Sequence, residues 1–257
     1  MSTLFTFGCS LTKYKWKTWA DHLGKNFDTF KNYGRIGCGN QYILFHLTQS
    51  HAKNEIKKTD TVAIMWTSHY RYDTWKNGDW ECLGNYWNHP SEKSYHNNID
   101  PIGFFIRDCS FIQNAKLILD DINCRYVFFS MLPFQNISKY SCIEMFSESI
   151  KCIKPSVFET LYNFNWYSRS SDLVIDSADD FRYNKLKGED WPTLSSLKNK
   201  KFFISEKIKK DMCNKLGAKK FNDIIKHKLW IDYDYHPTSN MHLEYLDKVL
   251  PNWKSWK

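Results

Sequence analysis

The sequence predicts an α/β protein built on a parallel sheet, and three observations lead there. Short apolar runs alternate with segments of helical period along the chain, the pattern of strands joined by crossover helices. The runs are apolar throughout, as in strands covered on both faces. The length of 257 residues, 42% of them hydrophobic, is enough for one sizeable core and excludes global disorder. One domain spanning 1–257 is expected, with segments inserted at about 68–101 and 140–226.

Taken in order, the predicted strands are 4–7, 27–33, 61–66, 126–130 and 228–231. After the first, Trp16, Trp19, Ala20 and Leu23 share one helical face, with Asp21 and His22 opposite. Before the fourth, Phe105, Cys109, Ile112, Ala115, Leu119 and Ile122 recur at three-to-four spacing and predict a long helix. A final helix is expected after Pro237, capped by Thr238 or Ser239 and burying Leu243, Leu246 and Val249 or Leu250, with His242 on its surface. The segment 68–101 reads as a loop holding Trp75, Trp80, Tyr86, Trp87 and Tyr95 among Asn, Asp and Gly. The segment 140–226 carries Trp166 and Trp191 before its pattern becomes helical again.

Composition narrows the function. The eight cysteines include no C-x-x-C pair, so neither a disulfide framework nor a zinc ribbon is expected, and buried reduced thiols are. Met1 and Ser2 lead directly into an apolar run without a basic region or cleavage site, which predicts a cytoplasmic protein. No stretch approaches the roughly 20 apolar residues of a membrane span, so no membrane partner is expected. The net charge of +8 comes from scattered lysines such as Lys198, Lys200, Lys201 and Lys207 beside helical patterns. Solvated helix faces account for them, and no nucleic-acid partner is expected. An aromatic share of 17% is high and leaves rings free to stack on a ligand. His89 and His96 lack a partner at ligand spacing, so no metal or other cofactor is expected.

Two places carry chemistry. Gly8-Cys9-Ser10-Leu11-Thr12 closes the first strand and precedes a helix, which sets Ser10 at the carboxyl edge of the sheet. Backbone N–H groups at such a turn favour negative charge, as a serine nucleophile with an oxyanion intermediate requires. Asp232, Asp234 and His236 follow the last predicted strand and fall on the same edge. A histidine accepts the serine proton, and a carboxylate orients the imidazole and stabilises its charged form. His69, Arg71 and Asp73 follow the third strand, where Arg71 suits an anion or carboxylate. Cys9 is a second nucleophile candidate beside Ser10.

These strings resemble the SGNH (GDSL-type) hydrolases. Residues 8–12 look like the family's first block, Asn32-Tyr33-Gly34-Arg35-Ile36-Gly37 is similar to the second, and Asp234-Tyr235-His236-Pro237-Thr238 looks like the last. The longer strings 37–43 and 236–243 look most like a branch found in phage and marine genomes. The resemblance spans the sheet core but neither aromatic segment. It implies a flavodoxin-like three-layer αβα sandwich with a five-stranded parallel sheet in the order 2-1-3-4-5. It also implies a metal-independent serine esterase in which Ser10 attacks, His236 serves as base and then acid, and Asp234 orients His236. Ser10 and Gly37 would donate backbone N–H groups to the oxyanion.

The chain departs from the family pattern at three points. Cys9 replaces the usual aspartate. Asp234 stands two residues before His236 rather than three, which keeps Asp232 as a rival. Ser68 occupies the place of the asparagine donor in the third block, a role Asn40 could also take. Trp75, Trp80 and Trp87 beside short amides suit a sugar, so the expected substrate is a small-molecule or glycan ester, an O-acetyl carbohydrate above all. An O-acyltransferase, or an idle scaffold binding glycan or nucleic acid, is the other reading.

Overall fold

The computed structural model describes residues 2–14, 16–85, 101–134, 141–162, 236–237 and 239–256. The chain divides into two units, Met1–Phe164 with Ser239–Lys257, and Asn165–Thr238. Of the second, the described residues are His236 and Pro237.

The first unit is a parallel sheet of β1 (Thr3–Gly8), β2 (Thr29–Asn32), β3 (Thr61–Trp66) and β6 (Arg125–Ser130), in the order β2-β1-β3-β6. All three pairings are parallel. These are the first four strands of the doubly wound order expected, and the fifth expected strand, 228–231, lies outside the described residues. Between them run α1 (Trp19–Gly24), α2 (Asn40–Ala52) and α3 (Pro101–Ile122), and α6 (Ser239–Val249) closes the unit.

Strand order and handedness together set the layers. The chain steps from β1 to β2 in one direction, then passes back over β1 to β3 and on to β6. Right-handed crossovers therefore put α1 on one face and α2 and α3 on the other. Side chains agree. Phe7 stacks on Tyr33, which stacks on His46 of α2, and Tyr126 donates its hydroxyl to Asp120 of α3. On the opposite face Phe129 meets Trp19 of α1 edge-on at 4.9 Å and Tyr245 of α6 at 5.8 Å. Every residue of β3 is buried, as two covered faces require.

The predicted stripe of α3 is buried from Phe105 through Leu119, with Ile122 partly exposed at the end. In α6 the buried set is Met241, His242, Tyr245, Leu246 and Val249. His242 is fully buried and not on the surface as expected, because α6 is covered on two sides and packs against both α1 and the short helix α5 (Val157–Tyr162).

The segment after β3 is not a plain loop. It contains an antiparallel hairpin of β4 (Arg71–Lys76) and β5 (Asp79–Asn85). Asn77 and Gly78 both have positive φ, 53° and 83°, the pattern of a type I′ turn. Farther on, a 3₁₀ turn (Ser141–Phe146), α4 (Ser147–Lys151) and α5 occupy the described start of the second insertion. Six described cysteines are reduced thiols, and Cys9, Cys38, Cys109 and Cys124 are buried. No helix among the described residues is long and apolar enough to cross a membrane.

Candidate active site

In a doubly wound sheet the crevice for ligands opens where successive crossovers leave toward opposite faces, beyond the carboxyl ends of the strands. Here that point is the end of β1, flanked by β2 and β3. The turn after β1 is tight. Thr12 and Lys13 donate their N–H groups to the carbonyl of Cys9, at 2.9 and 3.2 Å, so Ser10 lies inside a single closed turn. Gly8 makes it possible, since a Cβ there would stand 2.0 Å from Thr12 Oγ1. Ser10 is buried.

The loop after β2 comes to the preceding carbonyl, that of Gly8. The Arg35 N–H donates to Gly8 O at 3.0 Å and the Cys38 thiol donates to it at 3.3 Å. Asn32 Nδ2 bonds the Thr12 carbonyl, tying loop and turn together. Gly37 adopts φ +80°, and a Cβ on it would lie 2.5 Å from the Cys82 carbonyl of the hairpin. The 34–39 loop is thus wedged between the Ser10 turn and β5.

The end of β3 completes the edge. Asn40, the first residue of α2, is fully buried. Its Nδ2 donates to the Thr67 carbonyl at 3.1 Å and to Asp108 Oδ2 at 2.5 Å, and its Oδ1 accepts from Thr67 N–H at 2.8 Å. Ser68 follows directly, buried, with its Oγ accepting from Tyr70 N–H at 3.2 Å. Arg71 donates Nη1 to the Cys38 carbonyl at 2.9 Å. Ser10, Gly37, Asn40, Ser68 and Arg71 therefore share one edge of the sheet, linked by hydrogen bonds through their loops.

Two buried carboxylates support this edge. Asp73 of the hairpin accepts from Gly39 N–H at 2.7 Å and Tyr42 N–H at 2.9 Å, capping α2 from outside its own chain segment. Burial raises its pKa, although those bonds and Arg71 pull the other way. Asp108 of α3 accepts from Asn40 and, through Oδ1, from Arg107 Nε at 2.9 Å. Burial pushes it up to about 7 against the opposing charge of Arg107. His69 is driven down to about 4 by burial and by Arg107, with its ring against Tyr70 and Phe105.

The aromatic residues divide. Trp80 is buried against Tyr42 and Phe45 of α2, where it fastens the hairpin. Trp75 meets Trp80 edge-on at 5.5 Å and is 59% exposed. Trp87, Asp232 and Asp234 lie outside the described residues. His236, partly exposed, and Pro237, buried, belong to the second unit. Sequence reasoning missed Asp108 and Arg107. The signal was a carboxylate at position 108, three residues from Phe105 and four from Ile112, inside an otherwise apolar stripe.

A scan of protein-family models finds none that matches, and a search of curated proteins likewise finds no match. Solved structures do resemble the chain. A member of the lipolytic G-D-S-L family from Veillonella parvula aligns with 14% identity over 67% of this chain and 86% of its own, at a TM-score of 0.35. TesA aligns with 13% identity over 66% and 86%, at a TM-score of 0.36. At that level of similarity neither assigns a role to any residue here.

Proposed function

We propose that the protein is a serine ester hydrolase of SGNH type with Ser10 as its nucleophile. The observation that carries this reading is the position of Ser10. It sits in a closed turn on the central strand, at the switch point of the sheet, with the β2 loop and the end of β3 on either side. Ser10 Oγ would attack the ester carbonyl while His236 takes its proton and later returns it to the leaving alcohol. Asp234 would orient His236, with Asp232 as the alternative. Backbone N–H groups of Ser10 and Gly37 and the hydroxyl of Ser68 would meet the oxyanion. Asn40 is a poorer donor for that purpose, because its amide hydrogens already serve Thr67 and Asp108.

The substrate we propose is a small O-acyl ester on a carbohydrate, O-acetyl above all. Its support is Trp75, an exposed indole on a hairpin that adjoins the 34–39 loop, beside the short amide of Asn77. Arg71 would hold an anionic or carbonyl group of the same ligand.

The test is hydrolysis of p-nitrophenyl acetate and of O-acetylated sugars by the protein and by its Ser10→Ala and His236→Ala forms. Each substitution is expected to lower kcat by at least about a thousandfold, with no effect of EDTA on the parent. Turnover that survives both substitutions would place the chemistry elsewhere.

A further inference from the structure

The ladder between β1 and β3 ends at the pair Gly8 and Met65, so Thr67 has no strand partner on the β1 side. The side chain of Asn40 supplies both missing bonds, accepting from Thr67 N–H and donating to Thr67 O. A primary amide can do this in only one of its two orientations, because a flip exchanges donor for acceptor and breaks both bonds. Asp108 sets that orientation. When ionised, the form that Arg107 on Oδ1 favours, its carboxylate only accepts, so the Nδ2 end of Asn40 faces Oδ2. Asp108 is itself held by Arg107, whose Nη2 lies 2.8 Å from Oδ1 and also reaches the Arg71 carbonyl at 3.2 Å. Asn40, Thr67 and Asp108 are all fully buried, so water offers none of them a replacement partner.

We infer that Asn40 and Asp108 are positioning residues for the reaction of Ser10, holding the Thr67–Ser68 strand end in the place where the oxyanion develops. This rests on the serine hydrolase reading. Neither side chain touches the reacting atoms in this scheme. They act through the backbone of Thr67, and small displacements of such an edge can cost up to about a hundredfold in rate.

The experiment compares the parent, Asp108→Asn and Asn40→Asp, with Lys116→Met on the exposed face of α3 as the control for damage to the helix. An asparagine at 108 can present either end of its amide, so the orientation lock is lost with little change in volume. Two readouts are taken, kcat and KM on p-nitrophenyl acetate, and hydrogen exchange of the Thr67 amide against that of Ile64 within β3. The expected result is a fall in kcat of about ten- to a hundredfold with KM within about twofold. Thr67 exchange should quicken while Ile64 stays protected, and Lys116→Met should change neither. Unaltered kcat or unaltered Thr67 exchange in Asp108→Asn would overturn the proposal. Asn40→Asp, which keeps the acceptor but loses both donations, is read in the same way should Asp108→Asn fold poorly. If the parent shows no Ser10-dependent turnover, the esterase reading falls and the catalytic role with it, and the exchange data alone decide whether the amide is locked.

Discussion

Single polar side chains, more than apolar ones, shape the edge of this sheet. Asp73 is the plainest case. It lies on a hairpin far along the chain from α2, yet it accepts the N–H groups of Gly39 and Tyr42 in the helix's first turn. Those donors are orphans of any helix N-terminus and are buried here, so nothing else can satisfy them. Replacing Asp73 by alanine should destabilise the protein by about 2–4 kcal/mol in urea unfolding, since two buried donors lose their acceptor. Asp73→Asn should recover part of the loss, because one carbonyl oxygen can still accept. A loss confined to Asp73→Ala, with Asp73→Asn as stable as the parent, would mean that the cap contributes nothing and only packing is felt. Asp73 was legible in the sequence as a polar residue after the third strand, but its role was not. A cap supplied across 34 residues of chain leaves no local signature.

At the scale of elements, the hairpin β4–β5 explains why two tryptophans of one segment do different work. Its turn, Asn77-Gly78, has the backbone twist that matches paired strands. The two residues were visible in the sequence, and their signal was hidden by flanking strands that are polar on one face. Cross-strand pairing sets Trp75 opposite Trp80; Trp80 is buried against Tyr42 and Phe45 of α2, whereas Trp75 meets only Phe45 there, at 6.3 Å, and stays exposed. Trp80→Ala should therefore cost about 2–4 kcal/mol of stability, within the range for a buried aromatic truncated on a small surface cluster. Trp75→Ala should leave the unfolding midpoint nearly unchanged and raise KM for an O-acetylated sugar without raising it for p-nitrophenyl acetate. A stability loss at Trp75, or an equal KM change on both esters, would remove the carbohydrate argument.

For the whole molecule, acid stability is set by groups that burial shifts in opposite senses. Burial lowers the pKa of His22, His46 and His69, the last to about 4. A histidine held neutral in the fold stabilises it above the ordinary value near 6.5, and that contribution is lost as pH falls through the folded value. Asp73 and Asp108 are raised, Asp108 to about 7, so their contribution is full in acid and is lost as pH rises toward neutrality. The two trends partly cancel in the parent protein. His69→Gln should expose them. Its stability relative to the parent should be constant above about pH 7 and improve as pH is lowered from about 6.5 to 4.5, measured as the urea midpoint at each pH. A difference that stays flat across that range would show His69 to be freely titrating.

The sequence by itself determined the class of fold. The runs at 4–7, 61–66 and 126–130 and the stripe from Phe105 to Leu119 are apolar at the periods of strand and helix, and periodicity is a local property that a reader can count. It also placed Ser10 after a strand, because strand, glycine and helix follow one another within a few residues. Tertiary structure alone decided which of the remaining polar residues share the edge with Ser10. Asn40, the segment from Thr67 to Asp73, and Asp108 are separated by tens of residues and come together only because α2 and α3 lie on one face of a sheet whose order is β2-β1-β3-β6. The same holds for α2, whose buried side includes Asn40 and Ser50 and so lacks the apolar stripe that marks α3. A buried polar group needs a partner, and the partner is chosen by the packing of distant segments rather than by neighbours in the chain.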